Sequence, residues 1–353
     1  MAFLLSNFLA ACRLKPESEF KPHITSTSIT HMTTKRGPSN EAAENLISEL
    51  LKIHGRLDAI GADNLKPCEE VNLLFGQLVG LCIRTTSESV TNKVLNDSRI
   101  VAILPSLHQL CAISECHLES YWARQISIPD PSLSSEPLTS SQAYARLRSF
   151  PYYSNYTDLT RMELSALSSL LNTTSPPLRR KFAFIGSGPL PLTSLCINQT
   201  AQSFNFTSPQ SERYPIEVLN IDINPHAISQ SKTLCDLLGS RASGMTFHCS
   251  PANSPTLDLS PFDVVYLAAL VGSTQAEKEI LLESVVGRMR EGAYLVVRSA
   301  ERLRRLLYPE FDPTTEKVLS CLEICLAVHP YNHVVNSVII GRVKSRTGTN
   351  VLQ

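Results

Sequence analysis

Hydrophobic residues in the first half of the chain recur with the period of an α-helix. Apolar positions three and four residues apart form single faces, and no alternating strand pattern separates them. We expect helices from about residue 41, over 68–84, over 105–126 and over 158–171. The first half therefore predicts an all-helical domain over residues 41–175.

The pattern changes beyond Pro177, where short apolar runs alternate with helical segments. Alternation of this kind favours a doubly wound parallel sheet with helices on both faces. The predicted strands are 181–185, 217–221, 245–249, 262–267 and 294–297, with a closing pair at 321–328 and 334–340. The closing pair is joined by five residues, which is short enough for an antiparallel hairpin. An antiparallel last strand is typical of the Rossmann-like class I sheet of S-adenosylmethionine-dependent methyltransferases, and we place that domain at 176–345.

A glycine turn follows the first predicted strand, in the sequence FAFIGSGPLP at 182–191. Two glycines two apart allow a tight turn and a close approach to a ligand, and the next helix offers free N–H groups. The third glycine of the dinucleotide fingerprint is replaced by Pro191, which favours a nucleoside over a pyrophosphate. We predict that Gly186, Ser187, Gly188 and Pro189 bind the nucleoside, although a purely structural strand-turn-helix corner has a similar sequence.

Residues at the ends of two further strands extend this predicted site. Asp222 ends the second strand, where a carboxylate can accept both hydroxyls of a ribose, and Ile223 follows it. Capping of the next helix is the alternative role for Asp222. Small residues after the fourth strand, including Ala268 and the neighbouring Leu270, would let a flat adenine or a substrate lie against the backbone. The long spacing from Gly188 predicts an insertion near 204–214.

Two acids and a tyrosine cluster stand out in the helical half. Glu115 and Glu119 are four residues apart and share one helix face, for which a solvated acidic surface is the alternative interpretation. Tyr152, Tyr153 and Tyr156 follow a proline, and their hydroxyls would line a polar pocket or pack between domains.

Composition narrows the classes of partner. The 32 basic and 32 acidic residues give a formal net charge of zero, which argues against a nucleic-acid-binding or anionic-membrane surface and favours a small-molecule ligand. The ten cysteines lack the paired spacing of a zinc or redox motif, so we expect reduced thiols in the cytoplasm. Residues 1–15 carry a short apolar run and no acid, for which a secretory or mitochondrial signal is the alternative interpretation. The run is broken by Asn7, lacks a basic start and leads into Ser/Thr-rich residues, so we predict a disordered tail over 1–40, with a second tail at 346–353.

Several separated motifs, in one order, resemble the nicotianamine synthase family. They are FAFIGSGPLPLTS at 182–194, DVVYLAALVG at 263–272, LVVRSA at 295–300, Tyr308-Pro309, His329-Pro330 and VNSV at 335–338. The resemblance extends into the helical half, at 71–75, 114–119 and 150–156, and covers about 41–343. Departures are the N-terminal tail, an enlarged loop at 128–141, and Asn224 where an acid is more usual.

The resemblance implies an enzyme of nicotianamine biosynthesis, and hence of metal homeostasis, that condenses three molecules of S-adenosylmethionine. Aminocarboxypropyl groups are joined, methylthioadenosine is released, and neither a metal nor a cofactor besides the substrate is needed. The attacking amine must lose a proton, so a base is required. The resemblance favours Glu119 as base and Tyr153 as the residue that holds the amine, with Glu115, Tyr152 and Tyr156 as alternatives.

Other questions stay open at this level. Arg298, just past the fifth strand, is suited to pair with a substrate carboxylate or to form a structural ion pair. The alternative functions are an S-adenosylmethionine-dependent methyltransferase and a non-catalytic ligand-sensing protein on the same fold. A homodimer is possible, and neither the product length nor the release of intermediates follows from the sequence.

Overall fold

The computed structural model describes most of the chain between its two ends. The described ranges are 38–128, 138–171, 181–201 and 216–346. Most of the predicted tails, most of the loop at 128–141, Pro176-Pro177 and the insertion at 204–214 lie outside these ranges. The predicted tail over 1–40 was too long by three residues, because residues 38–40 belong to a helix.

Six helices occupy the first half of the described chain. They are α1 (Pro38–Ile60), α2 (Glu69–Cys82), α3 (Glu88–Leu95), α4 (Ser98–Ser127), α5 (Ser140–Arg148) and α6 (Tyr153–Leu171). The sequence analysis missed α3 and α5, whose short apolar faces are weak signals. Their caps explain their starts, because Ser87 accepts from the Val90 N–H and Thr139 forms a capping box with Gln142.

The prediction that a helix starts after Pro105 was wrong, since α4 runs through that residue. The helix begins after Asp97, whose side chain accepts from the Arg99 N–H. A proline inside a helix removes one backbone hydrogen bond. Burial of Ile100 and Leu107 on either side of Pro105 holds both segments of the helix against the same core.

Seven strands form one sheet in the described residues of the second half. The strands are β1 (Lys181–Ile185), β2 (Glu217–Asp222), β3 (Met245–Cys249), β4 (Val264–Leu267), β5 (Tyr294–Ser299), β6 (Leu322–Val328) and β7 (Ser337–Val343). Their order is β3-β2-β1-β4-β5-β7-β6, with the first five parallel and β7 antiparallel to both neighbours. The predicted Rossmann-like sheet with an antiparallel last strand is therefore confirmed.

In the part of the chain that the structure describes, four helices connect or follow these strands. They are α7 (Leu192–Ala201), α8 (Pro225–Leu238), α9 (Gln275–Val286) and α10 (Glu316–Cys321).

The predicted starts of β4 at 262 and of β7 at 334 were too early, because the backbone N–H groups of these residues form hydrogen bonds within turns. The Phe262 N–H donates to Leu259 O, and the Val334 N–H donates to Asn332 Oδ1.

The helical part and the sheet share hydrophobic contacts at the carboxyl edge of the sheet. Leu303, Leu306 and Leu307, which follow β5, belong to the same core as the buried residues of α1–α4, and so does Val335 before β7. This packing holds α4 over the ends of the parallel strands, where ligands bind in sheets of this kind. None of the helices in the described ranges is long and apolar enough to cross a membrane.

Candidate functional site

The turn after β1 adopts a conformation that favours glycine at two positions. Gly186 and Gly188 have φ of 81° and 67°, in the left-handed region. The Gly186 and Ser187 N–H groups donate to Ile221 O in β2, at 2.8 and 3.1 Å. A Cβ on Gly186 would lie 2.6 Å from Val271 Cγ2, and one on Gly188 would overlap a Glu119 carboxylate oxygen.

Asp222 faces this turn from the end of β2. Its Oδ2 accepts from the Gly188 N–H and its Oδ1 from the Asn224 N–H, both at 2.9 Å. The helix cap of α8 is Asn224, which accepts from the His226 N–H. Asp222 therefore does not cap the helix, so capping does not occupy the remaining lone pairs of its carboxylate. Ribose binding stays a prediction for Asp222, as nucleoside contact does for Ile223, whose side chain is exposed.

Two glutamates of α4 and two tyrosines form a hydrogen-bonded cluster beside the turn. The Tyr156 hydroxyl lies 2.9 Å from Glu119 Oε1 and 3.4 Å from Glu115 Oε1. The Tyr308 hydroxyl donates to Glu115 Oε2 at 2.9 Å. Glu115, Glu119, Tyr156 and Tyr308 are here called the carboxylate cluster. The cluster joins α4, α6 and the segment after β5 at one point of the molecule.

The two carboxylates differ in their electrostatic setting. Burial raises the pKa of Glu119 well above its ordinary value, and the nearby Glu115 charge raises it further. Burial also raises the pKa of Glu115, but hydrogen bonds from Tyr308 and Tyr156 oppose that rise. Both Glu115 oxygens thus lie near hydroxyl donors, whereas Glu119 Oε2 lies against the Gly188 turn. Of the two carboxylates, Glu119 is therefore the one that lies against the turn, and its catalytic role stays a prediction.

The remaining tyrosines of the predicted cluster are part-buried near it. The Tyr153 hydroxyl lies 3.4 Å from the Tyr144 hydroxyl, in a hydrophobic cluster that also contains Cys196. Tyr152 packs against Phe150 with ring centroids 5.9 Å apart. Contacts to the glutamates therefore favour Tyr156 over Tyr153, and the role given to Tyr153 stays a prediction.

Arg298 is buried at the end of β5 in a bidentate ion pair. Its Nε and Nη2 donate to the two Glu163 carboxylate oxygens at 2.8 and 3.1 Å, and Nη2 also lies 3.0 Å from Thr193 Oγ1. Arg298 is 6% exposed and Glu163 is 0% exposed. These contacts favour the structural ion pair over the pairing with a substrate carboxylate, which stays a prediction. The Arg298 charge also lowers the pKa of Glu115 and of Glu119.

The loop after β4 contacts the turn from the other side. Ala268 Cβ lies 3.1 Å from the position of a Cβ on Gly186, and nucleoside contact stays a prediction for Ala268 and Leu270. Leu270 is 36% exposed and lines an open groove of about 420 Å³ with residues of α9, including Ile280. The carboxylate cluster does not line this groove, so the groove is a separate surface.

Sequence reasoning overlooked two residues of this region. Tyr308 was noticed only as part of a Tyr-Pro motif, and its proximity to the end of β5 was the available signal. Glu163 was read as an ordinary position of a helix, although an acid among the apolar positions of α6 indicates a buried partner.

Among the described residues no group of three or more His, Cys, Asp or Glu side chains is arranged to hold a metal ion.

Comparisons with known proteins agree with one another. The model of the nicotianamine synthase protein family matches residues 38–347. Nicotianamine synthase 3 of Arabidopsis thaliana is 33% identical over 299 residues, which cover 85% of this chain and 84% of that protein. Nicotianamine synthase of Solanum lycopersicum is 33% identical over 309 residues, covering 86% and 84%.

Solved structures show the same fold. A crystal structure of MtNAS in complex with MTA and tNA has a TM-score of 0.63 and 19% identity, covering 84% of this chain and 98% of that chain. A glutamate-to-glutamine variant of MtNAS in complex with S-adenosylmethionine has the same TM-score, with 18% identity and 85% and 98% coverage.

Proposed function

Because the chain belongs to the nicotianamine synthase family, we propose that it condenses three molecules of S-adenosylmethionine into nicotianamine and releases methylthioadenosine. The observation that carries this proposal is the position of Glu119. One carboxylate oxygen is held by Tyr156, and the other lies against the glycine turn. This position supports a role for Glu119 as a base beside the turn that would hold the adenosyl group.

The reaction is a displacement at carbon. The amino nitrogen of one molecule attacks the aminocarboxypropyl methylene bonded to the sulfonium of another. A C–N bond forms, the C–S bond breaks, and its electron pair stays on sulfur, so methylthioadenosine leaves as a neutral molecule. Two such displacements join the three units, and a third, by the nitrogen of the last unit on its own methylene, closes an azetidine ring and releases the third methylthioadenosine. The protein must therefore orient the correct carbon and accept a proton, and the leaving group needs no acid.

Glu119 is the residue we assign as the base. A carboxylate with a raised pKa pairs with the ammonium and then accepts its proton, which an ordinary carboxylate of low pKa does poorly. Tyr156 holds Glu119 Oε1, so the second oxygen is oriented toward the Gly188 turn. Glu115, held by Tyr308, is a positioning residue whose charge keeps the pKa of Glu119 high.

The assay for this function is incubation of the full chain with S-adenosylmethionine. We expect release of methylthioadenosine and a product whose mass grows by one identical unit per condensation. Formation of S-adenosylhomocysteine would instead identify a methyltransferase. Binding measured by calorimetry without either product would identify a ligand-sensing protein.

Glu115→Gln is expected to move the acid limb of the kcat profile to lower pH. The base must be deprotonated to act, so activity is lost as the pH falls through the raised pKa of Glu119. Removing the Glu115 charge removes one cause of that rise, so the pKa of Glu119 falls. The measurement is the pH dependence of methylthioadenosine release, with the exposed Glu283→Gln in α9 as control. An unchanged limb would contradict the role given to Glu115.

A cytoplasmic location and the absence of a nucleic-acid partner are further parts of the proposal, as is the possible homodimer. The nine cysteines within the described residues are free thiols, which supports a reducing compartment. The zero formal net charge supports a small-molecule ligand over nucleic acid.

A further inference from the structure

Lys278 is a buried cation to which the proposed chemistry gives no role. It lies in the first turn of α9, and it is 0% exposed. Its Nζ donates to the carbonyl oxygens of Ala269 at 2.6 Å and Val271 at 3.0 Å. Burial lowers the pKa of Lys278 to about 8, and both hydrogen bonds of its Nζ go to uncharged carbonyl groups. Burying an ammonium group that is held only by carbonyl oxygens costs free energy, so the role of these two hydrogen bonds needs an explanation.

Both carbonyl groups belong to residues 268–274, here called the β4–α9 loop. In a trans peptide the N–H points opposite to the C=O, so holding two carbonyl groups fixes the orientation of two peptide planes. The N–H groups of Leu270 and Gly272 are thereby directed away from the lysine. Gly272 has φ of 81°, and a Cβ there would lie 2.9 Å from Lys278 Cγ. The lysine and the loop backbone are therefore packed closely together.

The same loop packs on the glycine turn. Its Ala268 N–H donates to Ile185 O at 3.1 Å, and its Val271 N–H donates to Ala268 O at 3.1 Å. Val271 Cγ2 lies 2.6 Å from the position of a Cβ on Gly186. A continuous set of contacts thus runs from Lys278 through the loop to the turn. A displacement of the loop would leave the turn unsupported on that side.

We propose that Lys278 is a positioning residue that holds the β4–α9 loop against the glycine turn and so sets the affinity for the adenosyl half of S-adenosylmethionine. This proposal rests on the proposed function for the identity of the ligand. The contacts of Lys278 with the loop do not depend on that identity. Lys278 acts through Val271 and Ala268 and does not touch the reacting atoms.

The test compares Lys278→Met, Lys278→Gln and Val271→Ala with the wild type. Methionine keeps the length and removes the donors, glutamine keeps an NH₂ donor on a shorter side chain, and alanine removes the contact with Gly186. We expect the Kd for methylthioadenosine to rise roughly tenfold or more in Lys278→Met, and less in the other two variants. The KM for S-adenosylmethionine should rise with it, while kcat stays within about threefold. The exposed Lys232→Met in α8 is the matched control and should leave these values unchanged.

Amide hydrogen exchange of the unliganded proteins supplies a second readout. Peptides that contain 268–274 should exchange faster in Lys278→Met than in the wild type or in the control. A lysine that serves stability alone would lower the melting temperature and leave both the loop exchange and the Kd unchanged, which would overturn the proposal. If the wild type binds S-adenosylmethionine but releases no methylthioadenosine, the proposed function fails. The role of Lys278 is then still tested by the amide hydrogen exchange of 268–274 and by the Kd values of its variants. Absence of any binding by the wild type would overturn both.

Discussion

Replacement of Glu119 by glutamine is expected to slow methylthioadenosine release by about 10²- to 10⁴-fold, the usual contribution of a positioned general base. The amide keeps the shape of the side chain and still accepts from the Tyr156 hydroxyl, which lies 2.9 Å from Glu119 Oε1 in the wild type. The amide cannot accept the proton of the attacking ammonium. We expect the Kd for S-adenosylmethionine to stay within about threefold, since the interaction lost is needed mainly in the transition state.

The measurement is single-turnover release of methylthioadenosine, with calorimetric binding of the same protein. Glu283→Gln, at an exposed position of α9, is the control for the chemical change itself. Full activity of the Glu119 variant would move the role of base to Glu115 or elsewhere. An equal loss in the Glu283 variant would indicate that the change acts through the fold and not through the proton.

The sheet was predictable because its signals are local. Buried parallel strands appear as short apolar runs, and the short link predicted before the last strand indicated a hairpin. The link in the structure is longer than predicted, over residues 329–336. Element boundaries were less predictable where turns and caps decide them. The start of α6 at Tyr153 and the course of α4 through Pro105 depend on packing with distant parts of the chain, with Cys196 and Leu234 for α6 and with Leu303 and Leu306 for α4. Local propensity does not contain that information.

The candidate site was predictable to the level of residue type. Helical spacing placed Glu115 and Glu119 on one face, and strand ends placed Asp222 near the glycine turn. The sequence could not show which tyrosine contacts the glutamates. Tyr153 and Tyr156 are only three residues apart, and which of them faces the glutamates depends on where α6 begins and how it packs. Tyr308 lies 193 residues from Glu115 along the chain, and no spacing rule reaches that far.

Arg298→Met is expected to lower the stability of the protein more than any other single change considered above. The substitution leaves Glu163, which is 0% exposed, as an unpaired buried carboxylate. Removing one partner of a buried ion pair costs about 3–5 kcal/mol, or roughly 5–15 °C in the melting temperature of a chain of this size. Glu163→Gln should be destabilising for the reciprocal reason, because it leaves the Arg298 guanidinium without a counter-charge.

A double-mutant cycle measures the pair directly. Replacing both residues, Arg298→Met with Glu163→Leu, removes both charges and is expected to recover most of the stability that Arg298→Met alone loses. Thermal unfolding of Arg298→Met, of Glu163→Leu, of the double variant and of the wild type gives the coupling free energy. Independent, additive losses would contradict the assignment of the two side chains to one another.

Ligand choice separates the structural ion pair from a substrate contact. S-adenosylmethionine carries the carboxylate that Arg298 would bind, whereas methylthioadenosine lacks the aminocarboxypropyl group altogether. If Arg298 only pairs with Glu163, its replacement by methionine changes the Kd for S-adenosylmethionine and the Kd for methylthioadenosine by the same factor. Both Kd values are measured below the melting temperature of the variant. If Arg298 binds the substrate, the Kd for S-adenosylmethionine rises and the Kd for methylthioadenosine does not. Because both guanidinium contacts go to Glu163 and one also reaches Thr193, we expect equal factors.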